Sequence, residues 1–310
     1  MVKRFGIQAG KIVSSAESGE IKVYINPDDV EKKFLLDTLK IDEHTLQSAL
    51  DPNELGRMEF EPDHVAFIIK RPKRYNSSDN FLFKVESIGM FMWSDKLIIV
   101  MTEDVPIFDG RQFSRIDSIM DLILKIVYRS VNHFEEHIKV ISQVSDELEQ
   151  QINKSVSNKQ LLNMFTLEKS LVFYLDGISS NKRVIDKIKV NCAKLGLTTL
   201  NIEFLDDLAI ENSQCHEMAQ VYSQVIAGLM DARASVISNN LNVMMKNLNA
   251  LVIAVAIPSF LAGIGGMSEF SNMIGFSHWK IGYPVFLGIM IVIGIATFFT
   301  IKKVEKIWKN

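Results

Sequence analysis

Two apolar stretches close the chain, at residues 248–266 and 283–301, and each is long enough to cross a bilayer. A hydrocarbon core of ~30 Å needs about 20 helical residues. A short loop, 267–282, joins the stretches, and Lys302, Lys303, Lys306 and Lys309 follow the second. Everything before about residue 240 is mixed and charged. The sequence therefore predicts a large soluble body that ends in a membrane hairpin. Lys246 precedes the first stretch, and the loop holds only Lys280. The tendency of basic residues to stay inside then puts both ends of the hairpin, and the body with them, in the cytoplasm. The expected location is the cell (inner) membrane, with two spans and both termini cytoplasmic.

The rest of the composition excludes more than it suggests. A net charge of −3 argues against a nucleic-acid partner. Residues 1–10 lack the apolar core of a signal peptide. Cys192 and Cys215 are far apart and outside any CxxC pair, so they read as reduced thiols. His133 and His137 have the helical spacing of a zinc pair, but no third ligand is fixed nearby in a recognisable motif. There is no nucleophile–base constellation, P-loop or dinucleotide fingerprint, so neither an enzyme nor a bound cofactor is expected.

Three segments follow from the hydropathy pattern. Residues 1–113 mix strand and helix signals, as in a small cytoplasmic α/β domain. Ile21–Ile25 and residues 65–70 read as strands, and residues 81–93 with Leu97–Met101 read as a hairpin turning at Ser94-Asp95. Pro27-Asp28-Asp29 and Asp42-Glu43 open short helices. Residues 114–247 form a long-helix stalk. Ile116, Met120, Ile123, Val127, Val131, Phe134, Ile138, Ile141, Leu148 and Ile152 recur at threes and fours, with one skipped step at Ser145. A second helix is expected over 159–192, then a turn at 196–199. A third helix starts near Asn201 and shows no stop signal before residue 263. Residues 248–310 make up the two-span hairpin and its basic end.

The first span is not a plain anchor. Asn239, Asn240, Asn242, Asn247 and Asn249 crowd its cytoplasmic end. Asn242 and Asn249 are seven apart and share a helix face with Met245, and the stripe continues through Ala256 and Gly263 to Met267. A carboxamide at membrane depth needs hydrogen-bond partners, either across a helix interface or in a water-filled axis that carries ions. At the outer end, 263–269 (GIGGMSE) is glycine-rich. Such a segment caps a helix, and it also exposes carbonyls that can hold a cation or its water shell. Glu269 is the one carboxylate of the outer loop.

Residues 231–268, DARASVISNNLNVMMKNLNALVIAVAIPSFLAGIGGMS, resemble the first membrane helix of the CorA divalent-cation transporters. Gly282-Tyr283-Pro284 opening the second span, and residues 50–59 (LDPNELGRME) followed by 65–72, resemble the same family. The resemblance implies an α+β cytoplasmic domain, long helices and a two-helix transmembrane hairpin, assembled as a funnel-shaped homopentamer in a lipid bilayer. It implies an axial pore for divalent cations lined by Asn242, Met245, Leu248, Asn249, Ala256 and Gly263, with Gly266, Met267, Ser268 and Glu269 as the selectivity filter. The family's Gly-Met-Asn tripeptide is here Gly266-Met267-Ser268. A hydroxyl replaces the carboxamide that would meet the entering hydrated ion, so Mg²⁺ is the first expectation, with Co²⁺, Ni²⁺ or Zn²⁺ beside it. Asp207 falls on the family's regulatory aspartate, with Asp206 and Glu211 close to it, and Asp79 and Glu86 are its candidate partners in the α/β domain. The expected function is a divalent-cation channel gated by cytoplasmic metal. The rivals are a scaffold or sensor on the same fold that conducts little, and proton-coupled zinc uptake.

Overall fold

The computed structural model describes residues 1–15, 19–76, 79–154, 158–266 and 279–307. The chain forms two compact units, Met1–Met230 and Asp231–Asn310.

The first unit is built on a seven-stranded sheet of order β2-β1-β3-β7-β6-β5-β4. Its strands are β1 (Val2–Gln8), β2 (Lys11–Ser14), β3 (Ile21–Ile25), β4 (Arg57–Phe60), β5 (Val65–Pro72), β6 (Val85–Met92) and β7 (Leu97–Met101). The pairing of β3 with β7 is parallel and the others are antiparallel. Met92 pairs with Leu97, so the hairpin expected around Ser94-Asp95 is present. The expected strand beginning at residue 81 starts later, at Val85.

Alternation along the strands feeds two cores. Ile21, Val23, Leu97, Ile99, Met90 and Phe67 face the larger one, while Tyr24, Ile98, Val100, Phe91 and Ala66 face the smaller. Both faces of β7 are therefore covered, which is why LIIVM carries no polar residue. Two short helices cover the smaller core. Helix α1 (Asp29–Lys33) starts at a capping box in which Asp28 accepts from the Glu31 amide and Glu31 returns the bond, and it runs on into a π-helical turn at Phe34–Thr38. Helix α2 (Glu43–Leu50) is capped by Asp42. It packs so close to β6 that a Cβ on Gly89 would lie 2.4 Å from the Ala49 Cβ.

Long helices cover the larger core. A 3₁₀ turn at Arg111–Ser114 precedes α3 (Ile119–Lys154), followed by α4 (Asn158–Val190) and α5 (Thr199–Gly265). The periodic residues from Ile116 to Leu148 are all buried, and so is Ser145 at the skipped step. Ile116 belongs to this core but precedes the helix, because Ser118 accepts from the Asp121 and Leu122 amides and sets the start of α3 later than periodicity suggests. Gly196, at a φ of +67°, turns the chain between α4 and α5.

One junction locks helix to sheet. Strand β4 pairs with β5 only from Val65 to Ile68. Beyond it, the buried carboxamide of Asn181 on α4 accepts from the Lys70 amide and donates to the Lys70 carbonyl, both at 2.7 Å. The side chain does what a neighbouring strand's peptide group would do. Ser130 of α3 donates to the same carbonyl. On the other side of β5, the Lys70 ammonium meets the Pro52 carbonyl at 2.9 Å and the Ser87 hydroxyl at 2.7 Å, at the C-terminal end of α2.

The second unit holds the last part of α5 and helix α6 (Trp279–Ile307).

Candidate functional site: the membrane hairpin and its exposed face

Both expected spans are helical. The apolar windows lie in α5 and in Lys280–Val304, with mean hydropathy 2.0 and 2.4 and almost nothing in them buried by the chain itself. Surface this apolar and this exposed is stable only against lipid or other helices.

The two helices touch along one face of α5. The Lys302 ammonium donates to the Asn247 carboxamide oxygen at 2.8 Å. A Cβ on Gly294 would lie 3.2 Å from the Ala254 carbonyl, and one on Gly265 would lie 2.7 Å from the Phe286 ring. The partners run in opposite directions along the chain, as a hairpin requires. Pro258 cannot donate to the Ala254 carbonyl, and that oxygen faces α6 at Gly294, where a side chain would be tight. An apolar cleft of about 500 Å³ opens along the same seam, between Leu251, Ala254 and Pro258 on one side and Leu287, Ile291 and Phe298 on the other.

Three serine and threonine hydroxyls in the spans are satisfied within their own helices. Ser259 donates to the Val255 carbonyl at 2.8 Å, and Thr297 and Thr300 bond the same way to Ile293 and Ala296. Asn242 and Asn249 differ. Both are exposed, and among the described residues neither side chain has a hydrogen-bond partner. Met245, Leu248, Ala256 and Gly263 are exposed too, and a Cβ on Gly263 would touch nothing. At about 100° per residue, five of these six positions lie roughly 130–180° around α5 from the Asn247–Ala254–Gly265 seam, and Leu248, next to Asn247, lies at the edge of that face, about 100° from the seam. Asn247, in the same asparagine cluster, faces α6 instead. Gly266 ends α5, its amide donating to the Ala262 carbonyl at 3.0 Å. The other expected filter positions, Met267, Ser268 and Glu269, lie outside the described residues.

The expected regulatory residues sit in the first unit on α5. Asp206 and Asp207 are exposed and Glu211 is half-buried. Asp206 pairs with Lys189 of α4. Among the described residues, no group of three or more His, Cys, Asp or Glu side chains converges as a metal site within one chain. Glu86 is already engaged, buried between Arg71 at 3.6 Å and Lys73 at 3.3 Å. Asp79 accepts from the Asn76 amide at 2.8 Å. The His133 and His137 rings stand 4.4 Å apart, but His137 Nδ1 is 2.6 Å from the Tyr174 hydroxyl, which makes it a packed core histidine.

Comparison with known proteins decides the family. The pattern of the family described as "CorA-like Mg2+ transporter protein" matches residues 23–303. This chain belongs to that family. The cobalt/magnesium transport protein CorA of Methanocaldococcus jannaschii is 23% identical over 282 residues, covering 86% of this chain and 85% of that protein. The protein of the same name from Thermotoga maritima is 22% identical over 267 residues, covering 83% and 74%. The complete structure of the CorA magnesium transporter from Methanocaldococcus jannaschii superposes with a TM-score of 0.78 at 20% identity, covering 96% of both chains. The chain is thus a CorA-type divalent-cation transporter with two membrane spans, and not an enzyme; divalent cations are its cargo rather than a cofactor.

Proposed function

We propose that several copies of this CorA-family chain surround an axial pore for divalent cations, Mg²⁺ first among them, lined by the face of α5 that bears Asn242, Met245, Leu248, Asn249, Ala256 and Gly263. One observation carries the reading. The hairpin commits the opposite face of α5 to α6, and leaves the carboxamides of Asn242 and Asn249 without partners among the described residues on the remaining face. Asn249 lies in the membrane part, where an amide needs water or another amide, and Asn242 lies two turns before it at the cytoplasmic mouth; rings of them around an axis supply both. Mg²⁺ dehydrates reluctantly, so carboxamide oxygens suit it by holding its water shell.

The assembly is read as a homopentamer shaped like a funnel, as the resemblance implies, with α6 toward lipid and both termini in the cytoplasm. Residues 1–113 are then the cytoplasmic α/β domain, 114–247 the stalk and 248–310 the membrane part. Gly266, Met267, Ser268 and Glu269 form the outer filter, where Ser268 accepts hydrogen bonds from the ion's waters across a wider opening than a carboxamide would leave. Asp207, with Asp206 and Glu211, binds regulatory cation together with a neighbouring subunit. That arrangement accounts for the absence of a converging group within one chain, among the described residues. Cation there neutralises facing carboxylates and favours the closed ring, and its loss favours opening.

Ion flux into proteoliposomes tests the proposal. The parent protein should admit Mg²⁺ down its gradient, faster with an inside-negative voltage. Asn242→Leu should cut the rate at least about tenfold without changing assembly, since it replaces a water-holding ring by an apolar one. No flux of Mg²⁺, Co²⁺, Ni²⁺ or Zn²⁺ would favour the non-conducting scaffold. Zinc entry accelerated by a pH gradient would favour proton coupling.

A further inference from the structure

A cavity of about 320 Å³ lies in the first unit, where the sheet meets α3. Arg71 of β5 and Ile88 of β6 form one wall, Ile126, Arg129, Ser130 and His133 of α3 another, and Arg74 with residues 105–107 and Asp109 the rim. Its size falls within the ~300–1,000 Å³ of small-molecule sites. Nothing in the transport reading uses it.

Arg71 is the unusual group. It is only 6% exposed, yet its Nε and Nη2 have no hydrogen-bond partner among the described residues. Glu86 approaches Nη2 at 3.6 Å, which is an ion pair but too long for a hydrogen bond, and Glu86 is shared with Lys73. Buried guanidinium donors left unmade are costly, and native structures rarely leave them so. Arg129 spends one nitrogen on Glu136 at 3.1 Å, at the outer side. Arg74 is exposed at the rim and, among the described residues, forms no ion pair. The wall thus presents three guanidiniums against one carboxylate, Asp109. The local field agrees. Burial holds the His133 imidazole down to about 3, and His137, Arg129 and Arg71 all push it the same way.

We propose that this cavity binds a phosphate group, with Arg71 as the buried fork and Arg129 and Arg74 closing on it. Planar guanidiniums match the oxygens of a phosphate in pairs. Two sources share that chemistry, free inorganic phosphate and a phosphorylated metabolite. The neighbouring polar cleft shares Arg74 and Val105 with the cavity; it is lined also by Lys73, Tyr75 and Asn76 and by the carboxylates Asp79, Glu103 and Asp104, so any organic group extending into it would be one that meets acids, a hydroxylated or cationic one. Because the walls belong to β5, β6 and α3, a bound phosphate would tie the sheet to the first long helix.

Calorimetric titration of the full-length protein in detergent and metal-free buffer tests this, at constant ionic strength held with potassium chloride. Inorganic phosphate and glycerol 3-phosphate are the two probes. Saturable binding of either supports the proposal, and the tighter of the two names the source. Arg74→Ala removes an exposed, unpaired side chain, so unfolding without phosphate should be unchanged while affinity drops about tenfold. Arg71→Lys keeps the charge, loses the fork and should weaken binding at least as much. No saturable binding of either probe, binding displaced equally well by chloride, or unchanged affinity in the Arg74→Ala/Arg129→Ala double variant would overturn it.

Discussion

At Asn181 a single side chain carries a job usually given to a strand. Removing it leaves the Lys70 amide without a partner and its carbonyl with Ser130 alone, inside a buried junction. Asn181→Ala should therefore destabilise the first unit by about 2–4 kcal/mol, read as an earlier midpoint in urea or thermal unfolding. Asn212 on α5 makes a weaker tie of the same kind, donating to the Ile178 carbonyl at 3.3 Å. His133 supplies a pH signature. Burial holds its folded pKa near 3, below the ordinary 6.5. The unfolded chain then binds more protons between those values, so stability is full above about pH 6.5 and falls as the pH drops toward 3. His133→Gln should flatten that slope by about one proton, measured as unfolding midpoint against pH. Burial lowers the neighbouring His137 as well, so a residual slope should remain. The Lys70 ammonium works at the other end of the scale. Burial lowers it to about 8 from 10.5, so its contribution to stability rises as the pH passes from about 8 to 10.5.

Among the elements, the hairpin rests on small residues. Gly265 lies against the Phe286 ring with no room for a side chain. Gly265→Val should force α5 and α6 apart and lower the thermal midpoint in detergent, and Phe286→Ala in the same chain should recover much of the loss. An equal loss in the double variant would place the fault elsewhere. The elements also show what the sequence reveals and what it hides. The first long helix was legible because threes and fours recur with a single skipped step at Ser145, and α1 and α2 because Asp28 and Asp42 stand where caps must. The strands β1, β2 and β4 were not. VKRFGIQ and KIVS are only partly buried, and RMEF is four residues with a single buried one, so alternation has no room to show. Asn242 and Asn249 were marked by their spacing alone, whereas Asn247 looked the same in sequence and turned out to be held by a lysine 55 residues later. The cavity of Arg71, Arg74 and Arg129 left no trace in the sequence, because separate strands, a loop and a helix bring its walls together.

For the whole molecule, the consequences turn on other copies of the chain. If Asp207 binds cation with a neighbouring subunit, Mg²⁺ should slow limited proteolysis of the assembled protein, and Asp207→Ala should raise the Mg²⁺ concentration needed by about tenfold or more. Unchanged protection would remove Asp207 from the gate. Native mass spectrometry gives the subunit number independently. How the chain avoids association of the wrong sort is already visible. The outermost strands of the sheet, β2 and β4, are four residues each, and past the end of β4 the Asn181 amide occupies the bonding ledge of β5. A stranger's extended peptide finds almost no bare rung on which to stack. Edges this short give copies crowded into one membrane patch little to pair along, strand to strand.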